Sequence, residues 1–231
     1  MGFFWRKRSA KKTWAVPDLA RFDWPKDTLV YLIGFSYDPP TAQMFEWLRE
    51  ILASRKIDRT RVLRFTEAQQ TRQDLAHALR DGKKRVELFC GHGCYTGLFG
   101  PPQAEIAGSI LKDLTSIVYD ADMITETPSS MFAFCCQAAH TFGRVFSAYK
   151  DKQFMGFADD VPFPLELYDD LKYAFHTVAK DIIRSGQILP RHQEIFLEKL
   201  REINSQAHTY KNPTLVHLWL YEFEKHLRLY A

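Results

Sequence analysis

Short runs of β-branched and aromatic residues alternate with amphipathic helical patterns over the first half of the chain. This alternation restricts the fold more than any other feature. "TLVYLIGF" (28–35) is apolar on both faces of an extended chain, as a strand buried inside a sheet must be. "TAQMFEWLREILASRK" then spaces Met44, Trp47, Leu48, Ile51 and Leu52 at helical intervals, with Thr41 as the N-cap after the Pro39–Pro40 break. A second strand is predicted at 60–65. A helix follows over 71–82, opened by Thr71 with Asp74, striped by Leu75 and Leu79 and closed by Gly82. "RVELFC" (85–90) is the third strand. Strand, helix, strand, helix, strand implies right-handed crossovers and a mainly parallel sheet with helices on both faces.

Beyond residue 92 the texture changes. "GCYTGLFGPP" (93–102) is rich in Gly and Pro and predicts loop, 103–114 predicts a helix, and 116–130 holds a short strand or a hairpin. "SMFAFCC" predicts a fourth buried strand, "QAAHTFGRVFSAYK" the helix after it and "QFMGFA" (153–158) a fifth strand. From Pro164 only helical patterns remain, over 165–185, 190–208 and 214–229, broken at "SGQILP" and "NPT". The expectation is one α/β domain over 25–231, with a core at 28–163 and a helical C-terminal portion at 164–231.

All four cysteines fall in two short stretches. They are Cys90 and Cys94 in "ELFCGHGCYTG", and Cys135 and Cys136 in "FAFCCQAAHTFG". Disulfide frameworks scatter their cysteines, so this usage predicts a reducing, cytoplasmic compartment. It also suggests that the two stretches meet. In parallel α/β sheets, functional groups gather beyond the carboxyl ends of the strands, which is where His92 and Cys136 both stand. Gly91 permits a sharp turn, and Gly93 leaves a backbone N–H open to a substrate carbonyl. Cys136 is expected at the N-terminus of a helix starting near Gln137, where the dipole favours a thiolate. A thiolate with an imidazole to protonate the leaving amine suffices for acyl transfer. Cys90, His92 and Cys94, with Cys135 or Cys136, also offer metal ligands. Their one-residue spacing is tighter than structural zinc sites use, so no metal is assigned.

The stretch 65–93, "FTEAQQTRQDLAHALRDGKKRVELFCGHG", resembles the caspase-like cysteine peptidases, which include caspases, metacaspases, gingipains, separase and the CHAT group. "MFAFCCQAAHTFG" is similar to the block that carries the family's nucleophile, and "FMGFADDVPF" to the following strand and its pocket-forming loop. The resemblance covers roughly residues 28–163 and implies a caspase-haemoglobinase-like three-layer sandwich. It implies His92 as the catalytic histidine, Cys136 as the nucleophile with Cys135 as the alternative, and the N–H groups of Gly93 and Cys136 as the oxyanion hole. Phe134 stands where metacaspases carry an acidic residue, so side-chain preference does not transfer. Asp159 and Asp160 are candidates to line a pocket for Lys or Arg, or else form a solvated turn. The resemblance implies an intracellular processing or defence endopeptidase acting on a protein or peptide substrate, with no cofactor and with scope for a regulatory protein partner. A catalytically inactive interaction module on the same fold is the alternative.

Charge and hydropathy narrow the partners. The 31 basic and 28 acidic residues are too balanced to favour nucleic acid. Five of the basic residues lie in the first twelve, which reads as a basic tail over 1–24 with neither a signal-peptide nor a myristoylation pattern. No apolar run reaches the roughly 18 residues of a membrane span.

Overall fold

The computed structural model describes residues 27–34, 39–52, 62–65, 75–80, 82–99 and 117–231. The basic tail, the predicted helix over 103–114 and the Thr71–Asp74 cap lie outside these residues. The strands are β1 (Leu29–Gly34), β2 (Val62–Phe65), β3 (Arg85–Cys90), β4 (His92–Cys94), β5 (Gly97–Phe99), β6 (Ile117–Asp120), β7 (Ser129–Phe134), β8 (Lys152–Phe157) and β9 (Leu227–Tyr230). The helices are α1 (Pro39–Leu52), α2 (Phe142–Ser147), α3 (Tyr168–Ser185), α4 (Pro190–Ser205) and α5 (Pro213–His226).

Six strands form one sheet in the order β2-β1-β3-β7-β8-β9. The first five are parallel and β9 runs antiparallel to β8. Every residue of β1, β3 and β7 is buried, as strands covered on both faces require. Alternate residues serve opposite layers. Val30, Leu32, Val86, Leu88, Phe132 and Phe134 pack with α1, α3, α4 and α5. Tyr31, Ile33, Phe89, Met131 and Ala133 pack with Leu75, Leu79, Tyr119 and the α2 rings Phe142 and Phe146. This is an α/β arrangement compatible with a three-layer sandwich. The first layer is dense in aromatic rings. Phe134 alone lies within 5.3–6.3 Å, centroid to centroid, of Trp47, Phe157, Phe163, Phe175, Phe196 and Phe223, as well as Phe132. Burying one such ring contributes roughly 1.5–3 kcal/mol.

The second layer holds charge. Arg85 and Glu87 are fully buried and paired, Nε to Oε1 at 2.9 Å. The guanidinium also donates to Leu79 O at 3.0 Å and Thr125 Oγ1 at 2.8 Å. Burial is the largest single influence on the Arg85 pKa and pulls it down, but the charge and hydrogen bond of Glu87 together with Tyr119 and Tyr31 outweigh it and the net shift is upward. Lys152, 2% exposed, donates to Thr127 O and Ser129 Oγ, and its burial pushes its pKa down to about 8.

Four local expectations change. Helix α1 begins at Pro39, with both prolines in its first turn, where no intrahelical N–H is needed. Thr41 is therefore buried inside the helix and does not cap it. Over its described residues, 93–99, the glycine-rich stretch after His92 is not loop. It forms the hairpin β4–β5, which pairs on with β6 as a small antiparallel sheet. The helix after β7 starts at Phe142, with Gln137 at φ 58° in a turn before it. The last helix stops at His226, and Leu227–Tyr230 becomes the sixth strand of the central sheet. The breaks near "SGQILP" and "NPT" stand: Gly186 ends α3 at φ 65°, and Asn212 caps α5 by accepting the Leu215 N–H at 3.2 Å.

Candidate active site

Strands β3 and β7 are parallel neighbours with Cys90 opposite Phe134. Counting on two residues from each puts His92 and Cys136 at equivalent places beyond the same edge of the sheet. His92 opens β4 and is exposed, and Cys136 is half-buried. Between them the backbones approach closely. A Cβ added to Gly93 would lie 2.5 Å from Cys136 O and 2.7 Å from Cys135 Sγ. Only glycine lets β4 pass this close to the turn that carries the cysteines.

That turn is tight. Ala138 N–H donates to Cys136 O at 2.7 Å across Gln137, whose φ of 58° is the left-handed value a γ-turn of this kind requires. A non-glycine residue there costs on the order of 1–3 kcal/mol, and such strain clusters at functional sites. The turn is fastened to the chain leaving β8. Gln137 N–H donates to Asp159 O at 3.2 Å, and Ala139 N–H to Phe157 O at 2.9 Å. It is fastened also to the hairpin, through Phe142 N–H to Tyr95 O at 2.7 Å.

The thiol of Cys136 meets Val161 twice. It accepts the Val161 N–H at 3.4 Å and lies 3.5 Å from the Val161 carbonyl, to which it donates. Burial raises its pKa. The Val161 N–H opposes that rise, and the Asp160 and Asp159 carboxylates add to it. The expectation of a dipole-lowered thiol is therefore corrected: the helix begins six residues beyond Cys136, so its N-terminal N–H groups are not at the sulfur. Cys135 is only 4% exposed and its thiol is pushed well up, first by burial and then by the other cysteines, Cys136 foremost. Exposure thus favours Cys136 over Cys135 as a reactive group. Cys90 is fully buried in the first core layer, and Cys94 Sγ lies 3.4 Å from Thr96 Oγ1.

Asp159 and Asp160 sit beside this thiol and are exposed. Both carboxylates are engaged. Asp160 Oδ1 accepts Gln137 Nε2 at 2.8 Å, Asp159 Oδ1 accepts the Asp160 N–H at 2.8 Å, and Asp159 Oδ2 is 3.9 Å from His226 Nδ1. His226 in turn pairs with Glu222 at 3.0 Å. His217, on the same helix, contacts Asn204. A histidine between two carboxylates at a helix end is a tertiary arrangement that no local pattern announces. His140 is exposed on the turn, hydrogen-bonded to Thr141 Oγ1 and 4.5 Å from the Tyr95 ring. Tyr119 is buried in the second core layer. Phe134 is 1% exposed at the centre of the aromatic cluster, so that position offers no side-chain pocket.

Among the described residues, no group of three or more His, Cys, Asp and Glu side chains is arranged to hold a metal ion. Nor is any helix long and apolar enough to cross a membrane. No protein-family model matches the chain, and a search of curated proteins finds no match.

Proposed function

We propose that this chain is a cysteine endopeptidase of the caspase-like kind, working through His92 and Cys136. The observation that carries the proposal is their equivalent placement beyond two adjacent parallel strands, with the Gly93 backbone against Cys136. In the reaction the Cys136 thiol gives its proton to His92 and its sulfur attacks the scissile carbonyl. The N–H groups of Gly93 and Cys136 hold the oxyanion. His92 then protonates the leaving amine, and water releases the acyl group from sulfur. Asp159 and Asp160 border the sulfur, where a substrate side chain before the cut would lie. The chemistry needs no cofactor, and four free thiols suit a reducing, cytoplasmic setting.

One observation favours the second reading, a non-catalytic interaction module. Burial and the two neighbouring carboxylates all hold Cys136 in its neutral thiol form. A fluorogenic peptide library assayed with wild type, Cys136→Ala, Cys135→Ser and His92→Ala separates the two. The peptidase reading expects cleavage that falls by about a thousandfold or more in Cys136→Ala and His92→Ala and survives in Cys135→Ser. Cleavage indifferent to Cys136→Ala overturns it.

A further inference from the structure

We propose that the segment 160–163 is an autoinhibitory strap over Cys136, locked by the Gln137–Asp160 side-chain pair. The inference rests on reading Cys136 as the nucleophile and concerns how that site is regulated. A reactive sulfur needs its lone pair free and its proton open to a base. Here one residue, through its two flanking peptide units, engages both: Val161 N–H points at the sulfur and Val161 C=O receives its proton. A substrate carbonyl cannot reach the sulfur along the line that Val161 fills.

The strap has a firm root and an exposed lock. Its root is main chain. Ala158 N–H donates to His226 O at 2.9 Å, and Asp159 O accepts Gln137 N–H. Its far end is Phe163, whose ring packs 5.6 Å from Trp47 and 6.3 Å from Phe134. Between root and anchor, the side-chain tie is the exposed hydrogen bond from Gln137 Nε2 to Asp160 Oδ1. An exposed amide–carboxylate bond of this kind competes with water at both ends, so a ligand or partner can displace it. Gln137 is also the residue held at φ 58°, so the lock and the strained turn next to the nucleophile are the same residue.

The test places opposite charges at the lock. In Gln137→Glu two carboxylates face each other and push the strap away. In Gln137→Lys an ammonium grips Asp160 more firmly than the amide does. Initial rates of Cys136 alkylation by iodoacetamide are followed by peptide mass spectrometry in the full chain at neutral pH, with Cys94 as the internal reference. The strap predicts an order of Glu above wild type above Lys, with about fivefold between the extremes, and an acceleration in Gln137→Glu that fades in high salt. Direct electrostatics on the thiol predict the reverse, because an added negative charge disfavours the thiolate and a positive one favours it. The reverse order, or equal rates, overturns the strap. If the predicted order holds and no variant cleaves peptide, the strap stands and the peptidase reading falls. If cleavage requires Cys136 while the alkylation rates stay equal, the strap falls and the peptidase reading stands.

Discussion

Gly93 and Cys136 touch through their backbones: a methyl group on Gly93 would sit 2.5 Å from the Cys136 carbonyl oxygen, closer than real Cβ atoms come. The neighbour it meets is main chain in a tight, multiply hydrogen-bonded turn, so it cannot yield by rotating a side chain. Strand β4 would have to move instead, taking His92 with it.

Gly93→Ala is therefore expected to cost about 1–3 kcal/mol of stability, the range for forcing extra volume into a packed region. Gly91→Ala is the control. Its Cβ would meet the Phe89 ring at 3.0 Å, a side chain that can shift. Urea midpoints for the two variants should differ, with Gly93→Ala the lower. Equal midpoints would show that the close approach of β4 carries no constraint.

Arg85 and Glu87 predict a strong asymmetry between removing one partner and removing both. Glu87→Ala leaves a fully buried guanidinium without its carboxylate and should cost about 3–5 kcal/mol. The double variant Arg85→Met/Glu87→Leu should cost well under the sum of the singles, because neither charge of the pair is left buried without the other. Equilibrium urea unfolding followed by far-UV circular dichroism measures both. Additive costs would mean that the pair is not coupled.

His176 predicts loss of stability in acid. The ring is fully buried on α3; its Nε2–H donates to Trp47 O at 3.0 Å, and its Nδ1 has no hydrogen-bond partner among the described residues. Burial pulls its pKa down to about 4, against the raising effects of the Trp47 carbonyl and Glu50, while Lys172 lowers it further. The unfolded chain, with a histidine pKa near 6.5, binds a proton that the fold refuses. Stability from this group is present above about pH 6.5 and is lost as pH falls through that value towards 4. The loss amounts to about 3 kcal/mol if the whole shift is realised. His176→Gln should flatten the pH dependence of the unfolding midpoint over that window. An unchanged slope would place the acid sensitivity in other groups, the buried His192 and the carboxylates among them.

Much of the sheet could be read locally because burial on both faces of a parallel strand leaves a continuous apolar run. The five parallel strands and the chief helices announce themselves in this way, as do their breaks at Gly186 and Asn212. Placing His92 and Cys136 beyond one sheet edge needed more, namely that β3 and β7 be neighbours, which the pairing of the strands supplies. What failed was whatever a distant partner decides. Leu227–Tyr230 continues the apolar spacing of α5, yet it pairs with β8 because that edge of the sheet is open there. Leu227 and Leu229 then serve one core layer and Tyr230 the other, a period of two visible in hindsight in "LRLY". Gly and Pro after His92 signalled loop, but the hairpin forms because its strands pair with each other and with β6.

The amino-acid sequence alone determined where the parallel strands and the chief helices lie and that alternate strand residues face opposite layers, because side-chain period is a local property of the chain, whereas the order of the strands is not. Only the tertiary structure decided the state of the groups at the site. The helix that was to favour a Cys136 thiolate starts too late in the chain, and the segment after β8 folds back to occupy the sulfur. Burial and hydrogen-bond partners, which set the protonation and access of a thiol, come from segments far apart in sequence.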